Sequence, residues 1–337
     1  MDSLTHIALG ACMGEAFAGS KVGKKAMLWG ALAQSIPDID FVAASWLNTS
    51  ENLLAHRGFT HSILFAVASA LLMAIFAERW HRPHNISFKR WLAFFTAVVL
   101  THIFLDAFNN YGVGWFEPFS HYRISFNVIY VADPFFSIMP GIAFVMLLLL
   151  RSFSKKRKFW WRIGIGFCFV YLGYCVVNKI IVNNDVKHLL HKQDIAYDSY
   201  FTTPAPLQSW LWFVAAGTDS GYYIGYRSVF DQREKLSLQY FPRNAVLLSN
   251  TKDQEQVQQL VRFSQGYYTV EQRKDTLVFN DLRFGQVIGW VNPKEEFAFH
   301  YYIEPDIDNT LVVQRGRFAK WDEHSLKVLW KRIKGDE

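Results

Sequence analysis

SILFAVASALLMAIFA, residues 62–77, carries no charge over its whole length, and its only polar side chains are the serines at 62 and 69. A helix crossing a hydrocarbon core needs about 20 apolar residues, fewer where it is short or partly buried in a bundle. The stretch therefore predicts a membrane-spanning helix. Working outward, 91–108, 131–150 and 160–182 read the same way, and the last two are long and nearly free of charge. Two weaker candidates precede them, 4–18 and 26–47. The first contains His6 and Glu15 and the second Asp38 and Asp40, groups that must face the bundle interior if these segments lie in the membrane. About six short helices are expected over residues 1–182.

Charge orients them. The connections 19–25, 79–90 and 151–162 hold thirteen Lys and Arg side chains, whereas 48–61 and 109–130 hold only Arg57 and Arg123. Positive loops stay in the cytoplasm, so the N-terminus and everything after residue 182 are expected outside. The first 182 residues contain nine acidic side chains and the remaining 155 hold the other twenty. The excess positive charge thus belongs to the helical part, as short clusters flanking apolar runs rather than a groove for nucleic acid, which is excluded as a partner. Cys12, Cys168 and Cys175 all lie in apolar stretches without a CxxC pair and read as small buried hydrophobes. No basic n-region precedes the first apolar stretch, and Glu15 interrupts it, so a signal peptide is not expected.

Residues 183–337 read as a soluble extracytoplasmic domain. The segments 222–230, 235–241, 276–284, 297–305 and 310–318 mix aromatic and β-branched residues with polar ones between Gly, Pro, Asn or Asp, which suits antiparallel strands. Surface helices are expected at 253–264 and 322–333. The architecture predicted is an α-helical polytopic membrane bundle followed by a mainly-β (α+β) domain.

Under this topology the unusual polar residues reach one level. His6 opens the first helix at its outer end, and Asp38 and Asp40 of IPDIDF lie in the outer half of the second. His56, Arg57 and His61 of HRGFTHS occupy the next outer loop, His102 and Asp106 of THIFLDAF end the fourth helix, and Asp133 starts the fifth. His102 and Asp106, four apart, share a helix face and can ligate one divalent metal. A borderline ion such as zinc accepts mixed nitrogen and oxygen ligands and leaves a position for water, whose pKa it lowers. Arg57 stays protonated and is no ligand, but its guanidinium suits a phosphate or another oxyanion. Each piece has a plainer reading, since HxxxD can be an intrahelical hydrogen bond and the aspartates after Pro37 can cap a helix. Together they are costly to bury unless paired or metal-bound.

The motifs TH-x-x-L-G (Thr5 to Gly10), PDID (Pro37 to Asp40), HRGFTHS (His56 to Ser62) and H-x-x-x-D (His102 to Asp106), followed by Gly112 and the Pro118–Phe119 pair, occur in this order. In this the chain resembles the YdjM-like family of LexA-regulated, membrane-bound, metal-dependent hydrolases. The resemblance covers roughly residues 1–150 and implies metal ligands among His6, Asp38, Asp40, His56, His61, His102 and Asp106. It also implies a distant similarity to zinc-dependent phospholipase C. It lends the C-terminal domain no function.

The expected activity is hydrolysis of a phosphoester or lipid-like substrate at the outer membrane face. Asp38 or Asp40 would serve as ligand, bridge or general base, and Arg57 would hold the substrate's anionic group. A membrane zinc protease is disfavoured because no H-E-x-x-H motif is present. A phosphatidic acid phosphatase would need an arginine where Thr96 stands. The non-enzyme alternative is a transporter or scaffold using the same cluster for ion passage or helix packing, though no inverted repeat is evident. The sequence sets no oligomeric state.

Overall fold

A computed structural model describes residues 1–81, 86–303, 318 and 320–336. The expected strand at 310–318, but for Phe318, and also Arg82 and His84, lie outside the described residues. The chain forms two compact units, Met1–Trp46 with Ala55–Tyr174, and Leu47–Leu54 with Cys175–Glu337.

The first unit starts with α1 (Ser3–Val22) and α2 (Lys25–Ser35), an antiparallel pair turned at Gly23 with φ +62°. Their backbones touch. A Cβ added at Gly14 would lie 2.0 Å from the Ala26 carbonyl oxygen, and one at Gly30 would lie 1.9 Å from that of Gly10. Small residues four apart give apolar helices this close approach. The single helix expected over 26–47 is instead broken, because Pro37 has no N–H and its ring clashes with the preceding turn. The chain continues as a 3₁₀ segment, Pro37–Ser45, that carries Asp38 and Asp40.

A short α3 (Thr49–Ala55) and a 3₁₀ turn (Phe59–His61) lead into α4 (Ile63–Trp80), which pairs with α5 (Phe88–Asp106). Ala66, Ala70, Ala74 and Ala77 form a fully buried stripe on α4, in one core with Trp91, Phe95, Val98 and Val99 of α5. Small side chains there make room for large ones, which interdigitate at the density of an interior. After the long loop 107–133 come α6 (Pro134–Leu149) and α7 (Arg157–Lys192). Among the described residues α4, α5 and α7 are long and apolar enough to cross a membrane, and α6 is a shorter apolar helix.

At the end of this unit opposite His6, Arg157 is 2% exposed and grips Glu15 with two bonds, Nε to Oε1 at 2.7 Å and Nη2 to Oε2 at 2.6 Å. Its Nη1 donates to the Leu147 and Leu150 carbonyls at 2.6 and 3.1 Å. The pair explains how Glu15 resides in an apolar helix, and the carbonyl contacts close the end of α6.

In the second unit β1 (Ser199–Pro204), β2 (Leu211–Gly217), β3 (Gly221–Ser228) and β4 (Leu238–Pro242) form an antiparallel meander. After α8 (Gln254–Phe263), a second meander joins β5 (Tyr268–Arg273), β6 (Thr276–Gln286) and β7 (Phe297–Ile303). The chain ends in α9 (Glu323–Lys334), capped by a reciprocal Asp322–Ser325 box. The expected strands at 222–230, 235–241 and 276–284, the described part of that at 297–305, and both surface helices appear here. The strands β1, β2 and β5 were not expected. Strand β2 is covered on both faces. Trp212, Val214 and Ala216 pack with Val182, Val186 and Leu190 of α7. Phe213 and Ala215 pack with Leu282, Leu329 and Ile333. A strand buried on both sides reads as a continuous apolar run and loses its alternation.

Removing one partner of a buried ion pair costs about 3–5 kcal/mol, whereas replacing both with apolar groups is often neutral. Arg157→Met should therefore lower the stability of the purified protein in mild detergent by about that amount, and Arg157→Met with Glu15→Met should restore most of it. Thermal melts of the three proteins check this.

Candidate metal centre

Three breaks in regular structure bring the polar residues together. The end of α2 at Pro37 turns Asp38 inward, the 3₁₀ turn before α4 carries His61, and the last turn of α5 carries His102 and Asp106. One ligand atom from each of Asp38, His61, His102 and Asp106 lies within 4.8 Å of all the others. His61 Nε2 is 3.2 Å from His102 Nε2, 3.4 Å from Asp106 Oδ2 and 3.8 Å from Asp38 Oδ1. His102 Nε2 is 3.5 Å from Asp38 Oδ1 and 3.7 Å from Asp106 Oδ2. Four donors around a tetrahedral zinc, each about 2.05 Å from the ion, stand about 3.3 Å apart. Five of the six separations in the quartet, 3.2–3.8 Å, lie near that spacing, and all lie within 4.8 Å.

Tautomers point the same way. His102 Nδ1 lies 2.5 Å from the Gln34 carbonyl oxygen, an acceptor only, so Nδ1 must be the protonated nitrogen and the Nε2 lone pair faces the quartet. His61 Nδ1 lies 3.5 Å from Asp40 Oδ2 and 3.2 Å from Thr60 Oγ1. A carboxylate behind the distal imidazole nitrogen is the usual second layer of a metal-ligating histidine. Asp106 Oδ2 is fully buried with no hydrogen-bond partner of good geometry. The Arg57 guanidinium, with Nε 3.0 Å away, already offers this oxygen one cation, and a metal held by the quartet would give it a second. The donor set fits a divalent metal.

The other expected site residues sit one layer out. His6 is stacked on His102 with ring centroids 3.8 Å apart, and its nitrogens contact Gln34 Oε1 at 3.1 Å and Asp106 Oδ1 at 3.2 Å. The Met1 α-amine also pairs with Asp106 Oδ1. Asp40 accepts from the Arg57 backbone N–H at 2.7 Å and the Thr60 hydroxyl at 3.3 Å, and faces His56 Nδ1 at 3.3 Å. The His56 side chain is 40% exposed, against 20% for Asp38 and none for His61, His102 and Asp106. Arg57, expected to face a substrate anion, is buried. Its Nε lies 3.0 Å from Asp106 Oδ2, Nη1 donates to Asn109 Oδ1 at 2.7 Å, and Nη2 donates to the Met1 carbonyl at 3.2 Å. It holds φ +59°, a left-handed conformation that a long side chain adopts only when its surroundings demand it. Asp133 is apart from the quartet. It caps α6 through the Phe135 and Phe136 N–H groups and accepts from the Tyr171 hydroxyl at 3.0 Å.

Gln34, Thr60 and Asn109 belong to the site and were not singled out from the sequence. Gln34 and Asn109 are both 0% exposed. An amide within an apolar segment was the available signal, since such a group must find partners inside the bundle.

The family model of the YdjM inner membrane protein matches residues 1–182. The inner membrane protein YbcI of Escherichia coli (strain K12) is 30% identical over 171 residues, which cover 47% of this chain and 96% of that one. The uncharacterized protein YfhP of Bacillus subtilis (strain 168) is 29% identical over 236 residues, 67% of this chain and 68% of the relative. No solved structure matches the chain. The matched residues are those that build the apolar helices and the His/Asp quartet, and they amount to more than half the protein, which therefore belongs to the YdjM family of inner membrane proteins, with several membrane-spanning helices.

Proposed function

We propose that the protein is a metal-dependent hydrolase at the outer face of the inner membrane, acting on a phosphoester or lipid-like substrate. The observation that carries this reading is the quartet Asp38, His61, His102 and Asp106, whose donor atoms share one ion-sized space. Two imidazoles and two carboxylates suit zinc. When bound, the metal supplies a Lewis acid and lowers the pKa of its water to near neutrality.

The chain's own residues take separate tasks. Asp40 fixes the ring of His61 and so aims Nε2. Arg57 and His6 hold the two oxygens of Asp106 and fix the orientation of that carboxylate. In this division Arg57 is a positioning residue for Asp106, and Asp38, the most exposed of the quartet, borders the approach to the site. His56 has Nδ1 against Asp40 and its ring partly open to water, which suits it to move a proton to or from the substrate. The apolar residues exposed beside Asp38 on the same 3₁₀ segment, Ile39 at 51% and Phe41 at 72%, support a substrate with an apolar part. The thirteen cations on the opposite connections support an outward site.

Metal analysis by mass spectrometry tests the centre. The detergent-purified protein should hold close to one equivalent of a divalent metal, and His61→Ala with His102→Ala should lose it while keeping the same circular dichroism. Absence of metal from the wild type even after reconstitution would overturn the proposal, as would full activity of the folded, metal-free protein. His56→Ala should keep its metal and lose about 10²–10⁴-fold in turnover of a lipid phosphoester, whereas metal lost together with activity would make His56 a ligand.

Orientation is tested separately. Single cysteines in place of exposed Asn250 and Lys155 should differ toward a membrane-impermeant maleimide on intact spheroplasts. Asn250→Cys should label and Lys155→Cys should not; the reverse pattern would put the site on the cytoplasmic face.

A further inference from the structure

Two basic turns of the first unit meet at one rim. The turn between α1 and α2 carries exposed Lys24 and Lys25, and the turn between α6 and α7 carries exposed Arg151, Lys155, Lys156 and Lys158. The turns touch at Gly23, where an added Cβ would lie 3.3 Å from Ser152 Oγ and 3.7 Å from Phe153 Cζ. Lys24 Nζ also donates to the Leu148 carbonyl of α6. Beneath the rim, buried Arg157 joins Glu15 of α1 to the Leu147 and Leu150 carbonyls. The second turn is closed by its own backbone, with the Ser154 N–H donating to the Arg151 carbonyl at 3.2 Å and the Arg157 N–H to the Ser154 carbonyl at 3.1 Å. The six cations therefore stand on a base held together by hydrogen bonds.

Their charge is not answered locally. No acidic residue occurs from 16 to 37 or from 134 to 184, and Glu15 is already taken by Arg157. Among the described residues no carboxylate pairs with any of the six. Basic flanks alone suffice to orient helices, and they need no exposed aromatic ring. Here Phe153, in the middle of the second turn, is 66% exposed and holds φ +68°, a left-handed conformation that strains a bulky side chain. Phe159, on the first turn of α7, is 57% exposed. In water both exposure and strain are unfavourable. A ring that enters the boundary between headgroups and acyl chains gains burial that offsets them, and cations at that depth face lipid phosphates. The exposed ring is what favours a lipid over a soluble anion.

We propose that this rim, formed by Lys24, Lys25, Arg151, Lys155, Lys156 and Lys158 around Phe153, is a docking surface for an anionic phospholipid. Its phosphate meets the cations and its acyl chains receive the ring. The surface is independent of the His/Asp quartet, of any hydrolysis there and of which membrane face the rim occupies.

Fluorescence anisotropy tests it, with dye-labelled phosphatidylglycerol titrated with the full-length protein in mild detergent, beside phosphatidylcholine of the same dye and chains. Phosphatidylglycerol should bind saturably, at least about tenfold more tightly, and more weakly as salt is raised. A cation near an anionic headgroup contributes about fivefold in affinity, so Lys25→Gln with Lys156→Gln, one from each turn, should weaken binding about 25-fold. Phe153→Gly suits the left-handed backbone; it should weaken lipid binding while the thermal midpoint without lipid stays level or rises. Arg79→Gln with Lys89→Gln removes exposed cations of the third basic connection and should change affinity by less than about twofold. Metal content should be the same in all three variants. Equal affinity for phosphatidylcholine would overturn the proposal, as would displacement by glycerol 3-phosphate or inorganic phosphate as effective as that by unlabelled phosphatidylglycerol. So would affinity kept by the Lys25 and Lys156 variant or by Phe153→Gly, or an equal loss in the Arg79 and Lys89 variant, which would mark a diffuse effect of positive charge.

Discussion

The carboxylate of Asp106, wholly buried at the end of an apolar helix, is the group on which the first unit turns. Left alone there, an ionised carboxylate would be prohibitively costly, and the surroundings answer that cost from every side. His6 and the Met1 amine meet one oxygen, and Arg57 and His61 meet the other. Because these partners come from α1, from the residues just before it and from the loop before α4, neutralising one charge on α5 ties together segments far apart in sequence. The same arrangement sets His61 and His102 nose to nose, which two imidazole nitrogens accept only with a proton or a cation between them.

The quartet is held by breaks rather than by regular structure. Pro37 ends α2, and the tight 3₁₀ course that follows sends Asp38 toward the quartet while Asp40 faces His56 and His61. Asp40 thereby separates two histidines of one motif into a buried ring and a partly exposed one. The close contact of α1 and α2 through Gly10, Gly14 and Gly30 is what lets His6 and Asp38 share a site, since larger side chains would hold the helices apart. At the other end of α1, Arg157 compensates Glu15 by the same logic of paired burial.

The second unit obeys different rules. Its two meanders bury aromatic and aliphatic side chains between sheet and helix, and its buried charges include local pairs such as Arg283 with Asp281 at 2.6 Å.

Hydropathy and charge alone made the helical bundle legible, because apolar length and basic flanks are properties of composition that need no partner to express. HRGFTHS, PDID and the His102–Asp106 pair likewise marked the site, since buried ionisable groups in apolar segments are rare without a task. What the sequence could not reveal depends on partners distant along the chain. The double-sided burial of β2 erased its alternation, and the break at Pro37 divided one expected helix in two. Only the fold separates His61, whose Nε2 enters the quartet, from His56, five residues earlier and partly open to water. Only the fold turns Arg57 toward Asp106. Sequence spacing states which groups can meet, but which of them do meet is decided by the burial and pairing that packing imposes on each charge.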